Sequence, residues 1–273
     1  MLELHCYEWR SLDSILTSSW KESEHERQRM KAFLLAAGHG TRLSPLTDSV
    51  PKCLLPIRGV PMLDLWLALL AGYGVDEVLI NLHAHANVVR DHFAQSSPPV
   101  RLRLEEEPVL LGSAGTLRRH QTWVAGEAAV WVCYADVLTN CDLAQIKNQH
   151  ESSRQLATLG LYSVPDPQRC GIAEIEGDRI LNFQEKPEVP PSNLAFSGIM
   201  LLNPAAISMI PQEKTPADIG FDLLPRLSGK MSYTILEDYL LDIGTKQNFA
   251  LAQETWPGLS LSGMRDVGGS AHS

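Results

Sequence analysis

The chain has 273 residues, 44% of them apolar and 20% charged, with a formal net charge of -9. This is the profile of a soluble globular protein, long enough for one large α/β domain with a buried core or two small ones. The acidic balance excludes a sequence-independent nucleic-acid binder, which needs a basic face, but permits small phosphorylated ligands held by a local cluster of Lys and Arg.

The five cysteines, Cys6, Cys53, Cys133, Cys141 and Cys170, are odd in number and form no CxxC pair. They suit a reducing cytoplasm and argue against a disulfide framework or a structural zinc. No apolar stretch is long enough to span a membrane. The start "MLELHCYEWRSLDSILTSSW" lacks the basic-then-apolar plan of a signal peptide. A cytoplasmic protein with no membrane partner is expected.

Along the chain, residues 1–29 are charged and helix-permissive ("WKESEHERQRM"), and read as a loosely attached extension, with an oligomer or partner contact as the alternative. A folded domain is expected over 30–253. "AFLLAA" reads as a buried strand, "PMLDLWLALLAGYG" as a helix ending at glycine, and "EVLINLH" as a strand. "NVVRDHF" is helical, "VRLRLEEE" alternates like a half-exposed strand, and "AAVWVCYAD" is a buried strand ending in an acid. "LATLGLYSV" continues the series. Such alternation predicts a Rossmann-like α/β fold: a layered, mostly parallel sheet with helices on both faces. Ligands of such sheets sit beyond the carboxyl ends of the strands, where Gly38 and Asp136 fall. In the second half, "GIAEIEGDRILNFQEKP" reads as a hairpin turned at Gly177-Asp178 and "LAFSGIMLL" as another strand, together a small β extension for a second substrate. The tail over 254–273 has little to bury and is expected to be disordered.

The segment "LLAAGHGTRLSPLTDSVPKCLLPIRGVPML" satisfies neither familiar phosphate fingerprint. A Walker loop needs its lysine beside the second glycine, and the third glycine of a dinucleotide loop would fall at Leu43. It is coherent all the same. A strand end from Leu35 through Ala37, Gly38, Gly40 and Thr41 exposes backbone N–H groups with no Cβ at either glycine, a concavity for phosphate or base. Arg42 adds a forked cation and Lys52 a point charge. Glycines that merely turn the chain are the bland alternative.

Taken with "LLGSAGTLRR", "VCYADVL", "CGIAEIEGDRILNFQEKP", "NLAFSGIMLLNP" and "YLLDIGTKQNFALA", in that order, this segment resembles the signature of the sugar-nucleotide pyrophosphorylases over roughly residues 31–253. The resemblance implies attack of a sugar 1-phosphate on the α-phosphorus of a nucleoside triphosphate, releasing pyrophosphate, with Mg²⁺ between the two anions. It makes Asp136 and Asp242 the metal ligands, puts Arg42 on the departing phosphates and Lys52 near the reacting centre, and has Lys186 meet the incoming sugar phosphate. It gives Glu185 the sugar hydroxyls and places Gly171, Asn193, Ser197 and Gly198 in the sugar wall. Each acid has a bland reading too: Asp136 as a cap, Asp242 as a turn residue, Glu185-Lys186 as a solvated pair. His83 and His85 lack a matching metal partner and read as a strand-end pair facing solvent.

For the base, "EEEPVLLGSAGTLRR" should face the ring, with Gly112 allowing close approach. Glu105, Glu106 and Glu107 offer acids and no amide, which suits the two donors of guanine, although an acidic run before proline is also what a solvated strand end looks like. "LGSAG" is similar to the guanylyltransferase branch, whereas Ala37 in "LAAG" is similar to uridylyl members. The reading is GTP with mannose or manno-heptose 1-phosphate; the alternatives are a uridylyl-, thymidylyl- or cytidylyltransferase. A non-catalytic, nucleotide-sensing regulatory subunit would predict loss of one of Arg42, Lys52, Asp136, Lys186 or Asp242, and all five are present. No hexapeptide repeat of the kind that larger relatives carry follows Asp242, so a catalytic core alone, compatible with a homo-oligomer, is expected.

Overall fold

The apolar run "MKAFLL" forms strand β1 (Met30–Leu35), whose residues alternate between two hydrophobic clusters. Ala32 and Leu34 face one cluster and Phe33 the other, the period-2 signature of a strand covered on both sides. The computed structural model describes residues 30–38 and 40–259. The extension over 1–29, His39 and the chain from 260 lie outside the described residues.

After β1 come a short hairpin, β2 (Pro56–Ile57) and β3 (Val60–Pro61), and helix α1 (Met62–Gly72). Met62 through Ala71 are all buried, so α1 is a core helix rather than an amphipathic one. Strand β4 (Val75–Leu82), helix α2 (Ala86–Ala94) and strand β5 (Arg101–Glu106) follow, then α3 (Ser113–Arg119), β6 (Val130–Tyr134) and β7 (Val137–Thr139). Helix α4 (Leu143–Ser153) is absent from the sequence reading; Asp142 starts it by accepting a hydrogen bond from Ala144 N. The second half adds β8 (Ala157–Ser163), β9 (Gly171–Glu176), β10 (Arg179–Glu185), β11 (Leu194–Leu202), β12 (Met231–Ile235), β13 (Leu240–Asp242) and α5 (Lys246–Thr255).

Nine strands make one sheet in the order β5-β4-β1-β6-β11-β8-β12-β10-β9. From β5 to β6 every neighbour is parallel, as alternating strands and helices predict. Beyond β6 the expectation of a mostly parallel sheet fails. Strand β11 is antiparallel to both β6 and β8, β8 pairs with β12 in parallel, and β10 is antiparallel to β12 and β9. The reason is connectivity: β9 and β10 are joined by a tight turn at Gly177 (φ 58), and a hairpin can only pair antiparallel. The extension is therefore a continuation of the main sheet.

Helices α1, α2, α4 and α5 contribute to one cluster, while α3 and the short helical turns after β11 pack on the opposite face. The chain also packs further than 253. Trp256 is 3% exposed and meets Tyr239 edge-on at 5.3 Å, and Arg58 donates to the carbonyls of Gln253 and Glu254 at the end of α5. A tail disordered from 254 is corrected to one that still packs through these residues, because a large indole and two helix-end carbonyls found partners. No helix among the described residues is long and apolar enough to cross a membrane.

Candidate functional site

Where β1 and β6 end, their loops meet a third segment. Strand β13 pairs antiparallel with β7, setting Asp242 opposite Val137, and Ile243 N donates to the carbonyl of Asp136 at 3.0 Å. Two acids far apart in sequence thus come to the same edge. Lys52 Nζ lies between them, 2.7 Å from Asp136 Oδ2 and 3.8 Å from Asp242 Oδ1. Gly244 N donates to Asp242 Oδ1 at 2.6 Å and orients that carboxylate. A Cβ on Gly244 would stand 2.7 Å from Asp242 Oδ1, 2.8 Å from Arg42 Nη2 and 3.3 Å from Lys52 Nζ, so the glycine lets two cations and a carboxylate gather around it in their present positions. Gly40 sits at φ 65 with Thr47 Oγ1 donating to its carbonyl, which sets the turn that presents Arg42.

The same edge opens into a cleft of about 370 Å³, a size suited to a small-molecule ligand. Ala36, Ala37 and Gly38 form one side and Gly112 and Ser113 another. A Cβ on Gly38 would meet nothing within 4 Å, consistent with a face left open for a ligand. Gly112 has a different reason to be glycine. It holds φ 79, and a Cβ there would fall 2.3 Å from the carbonyl oxygen of Ala217. That carbonyl accepts from Ala114 N and Gly115 N, capping α3, while Ala217 N donates to Leu111 O. Glycine is therefore required here by the protein's own backbone at Ala217, and the residue still lines the cleft.

The acidic run is also corrected. Glu105 accepts from Arg103 and Glu106 from Arg90, on the sheet's edge strand, and neither lines the cleft. Glu107 does line it but is 3% exposed. Its Oε1 accepts from Asn81 Nδ2 (3.0 Å) and from Thr116 Oγ1, and its Oε2 from Leu111 N (3.0 Å). Asn81 Oδ1 in turn accepts from Ala36 N at 2.8 Å.

On the other side of Asp136 lies the expected sugar wall. Gly171 pairs with Glu185 across β9 and β10. Cβ atoms on Gly171 and Gly220 would fall 2.5 Å and 2.3 Å from Glu185 Oε2, so two glycines make a notch around this carboxylate. Burial raises the Glu185 carboxyl above its usual range; Lys186, at 3.7 Å, pulls it down, and the charge of Asp218 pushes it up. Lys186 itself adopts φ 50, with its N–H donating to Cys170 O at 2.9 Å. A non-glycine residue held in the left-handed region at a suspected site points to a backbone over-determined by its surroundings.

Ser197 does not belong to this wall. It is 2% exposed, accepts from Ile199 N at 3.2 Å and packs over Gly160 of β8, inside the sheet. Neighbouring Gly198 (φ 82) gives way to the ring of Tyr134. Asn193 is exposed and ties β11 to the end of β8 through Ser163 Oγ at 2.7 Å. The histidines are not a solvent-facing pair either: both are half-buried, and His83 Nδ1 contacts the carbonyl of Glu107 at 2.7 Å. No group of three potential metal ligands of the His, Cys, Asp or Glu type occurs among the described residues. Cys53, in the cleft wall, is buried and its thiol is pushed up to about 12, so it stays protonated and is no nucleophile.

A family model described as nucleotidyl transferase matches residues 31–256. The chain belongs to that family. Among curated relatives, the mannose-1-phosphate guanylyltransferase of Mycobacterium tuberculosis is 31% identical over 229 residues, covering 81% of this chain and 63% of that protein. The UTP–glucose-1-phosphate uridylyltransferase of Synechocystis is 32% identical over 235 residues, covering 79% and 60%. The chain spans 54% to 63% of the length of the first such relatives. Of solved structures, UTP-bound UDP-glucose pyrophosphorylase of Acinetobacter baumannii superposes with a TM-score of 0.70 at 19% identity, over 84% of this chain and 93% of that one, which shows a shared fold.

Against this nucleotidyl transferase frame, Arg42, Lys52, Asp136 and Asp242 converge, and Glu185, Lys186 and Gly171 form a second group beside Asp218. Asn81, Thr116 and Ala217 went unnoticed in the sequence. Gly244, in "DIGT", carried a local signal, as a turn glycine.

Proposed function

We propose that the protein is a sugar-1-phosphate nucleotidyltransferase, joining a nucleoside triphosphate to a sugar 1-phosphate with release of pyrophosphate. The observation that carries this reading is the meeting of Arg42, Lys52, Asp136 and Asp242 around Gly244 at the mouth of the cleft. Two anions must be brought together in line, so neutralising and positioning charge is the main task. Arg42 and Lys52 bind the triphosphate, and Arg42 offsets charge accumulating on the departing pyrophosphate. Lys186 receives the sugar phosphate, and Glu185, open in its notch, accepts from sugar hydroxyls.

The two carboxylates fit a hard divalent ion. Their side chains are 40% and 54% accessible, they supply oxygen only, and one or two such ligands plus phosphates and water are what Mg²⁺ takes. Asp136 and Asp242 would hold it, and when bound it supplies charge neutralisation between the reacting phosphates. Lys52, now between them, supplies the balancing charge in the unliganded protein.

GTP with mannose or manno-heptose 1-phosphate is the favoured pair, supported by the names of the guanylyltransferase relatives. UTP with a glucose-type phosphate is the second reading, favoured by the Synechocystis relative and by the finding that Glu107 is already engaged. Pyrophosphate release with Mg²⁺, crossing GTP, UTP, dTTP, CTP and ATP against mannose, manno-heptose and glucose 1-phosphates, tests both. A GTP-dependent signal supports the first and a UTP-dependent one the second. Nucleotide binding with no turnover on any pair would overturn the proposal in favour of a nucleotide-sensing role.

A further inference from the structure

Glu107 is the one acid of the run "EEE" that reaches the cleft, yet it has no obvious duty there. Its surroundings are more informative than its position. Three hydrogen-bond donors from three segments converge on one carboxylate: the amide of Asn81 at the end of β4, the hydroxyl of Thr116 in α3, and the backbone N–H of Leu111 in the loop between. The network is buried: Glu107, Asn81 and Thr116 are 3%, 4% and 0% exposed. Asn81 carries it one step further, since its Oδ1 accepts from Ala36 N at 2.8 Å, in the loop that lines the opposite side of the cleft.

We infer that Glu107 is a positioning residue, which sets the nucleoside-binding walls through Asn81 and does not read the base. The argument is one of hydrogen-bond polarity. A side-chain amide can point either way unless its partners decide. A carboxylate has only acceptors to offer, so it compels Asn81 to present Nδ2 toward Glu107 and hence Oδ1 toward Ala36. Ala36 N–H is then held, and the next peptide groups, at Ala37 and Gly38, face the cleft. Leu111 N and Thr116 are tied to the same carboxylate, which fixes the Gly112–Ser113 side in register with the β1 side. A direct reader of a guanine edge would have to turn its oxygens to the ligand, and here both already accept from the frame, Oε1 twice and Oε2 once.

The test is direct nucleotide binding, by calorimetry with GTP, UTP, dTTP, CTP and ATP without sugar phosphate, so it does not depend on turnover. Glu107→Gln puts an NH₂ where a donor must be accepted. This either leaves a buried donor unmet or flips Asn81 and sets NH₂ against Ala36 N–H. Binding of every triphosphate should weaken by about tenfold or more, by a common factor that leaves their ranking unchanged. The double variant Asn81→Asp with Glu107→Gln restores the pattern with the charge moved. The carboxylate introduced at position 81 accepts from Ala36 N, Thr116 and the new glutamine NH₂, and the glutamine oxygen accepts from Leu111 N. This variant should recover most of the lost affinity.

A change in base ranking in Glu107→Gln would show that Glu107 reads the base and overturn the inference. Unchanged affinity would overturn it too, as would a double variant no better than the single one. Should Glu107→Gln fail to fold, the double variant decides alone: folding with near-native affinity and ranking supports the relay, and loss of either sinks it. Absence of any nucleotide binding in the parent protein would instead defeat the reading of the cleft on which this inference rests.

Discussion

Two carboxylates, Glu107 in the cleft wall and Glu185 at the end of β10, are both largely shielded from solvent and opposite in partners. Three donors converge on Glu107, and its oxygens are committed within the protein. Glu185 has Lys186 at 3.7 Å, two glycines in place of side chains, and Asp218 as a like charge nearby; burial raises its carboxyl. A buried acid whose two oxygens are both engaged by donors of the frame acts as part of the scaffold. One left short of donors waits for a ligand to supply them. The Glu107 end is built as a frame and the Glu185 end as an opening.

This contrast can be broken in several ways. Asp136, paired with Lys52 in the cleft wall, gives the largest effect: Asp136→Asn should lower turnover by roughly a hundredfold or more, with the thermal midpoint little changed. Turnover near the parent level with Mg²⁺ would remove it from the reacting centre. At the frame end, Gly112→Ala forces a Cβ onto Ala217 and a side chain into φ 79. It should cost about 3 kcal/mol or more in denaturant unfolding, and a neutral result would mean that the joint between Gly112 and Ala217 is not rigid.

At the open end, Lys186→Ala should raise the KM for sugar 1-phosphate far more than that for the triphosphate. Equal changes in both would place it elsewhere. The smallest effect concerns stability. Because the folded protein raises the Glu185 carboxyl above its unfolded value, the folded state binds that proton more tightly. Its contribution is favourable at acid pH and falls as pH climbs through the raised value. Glu185→Gln should therefore gain stability at neutral pH while losing sugar-phosphate affinity, the gain read as a higher midpoint in denaturant unfolding. A loss of stability at neutral pH would show that Glu185 is paired after all.

Much of this molecule was legible in its residues. Short buried apolar runs and one alternating segment located β1, β4, β5 and β6 of the parallel half, and the hairpin at Gly177 announced itself by its turn residues. Arg42, Lys52, Asp136 and Asp242 were singled out by their place after strands or in the motifs, and the fold brings them together. These features are local: strand periodicity, turn glycines and strand ends depend on neighbours a few residues away.

What the sequence could not determine were relations between segments that are distant along the chain. Strand order in the second half depends on which edges remain free once the hairpin has formed. Gly112 lines the cleft as expected, but its need to be glycine comes from the backbone at Ala217, which the sequence does not place beside it. Ser197 looked like a wall residue until β8 covered it. For Glu107 the sequence displays the acid but not the amide of Asn81, the hydroxyl of Thr116 and the N–H of Leu111 that engage it. Sequence by itself determined which chemical groups are present and where strands end. Tertiary structure alone decided which groups still have hydrogen-bonding capacity to give, because a donor or acceptor is filled or open only with respect to what is packed against it.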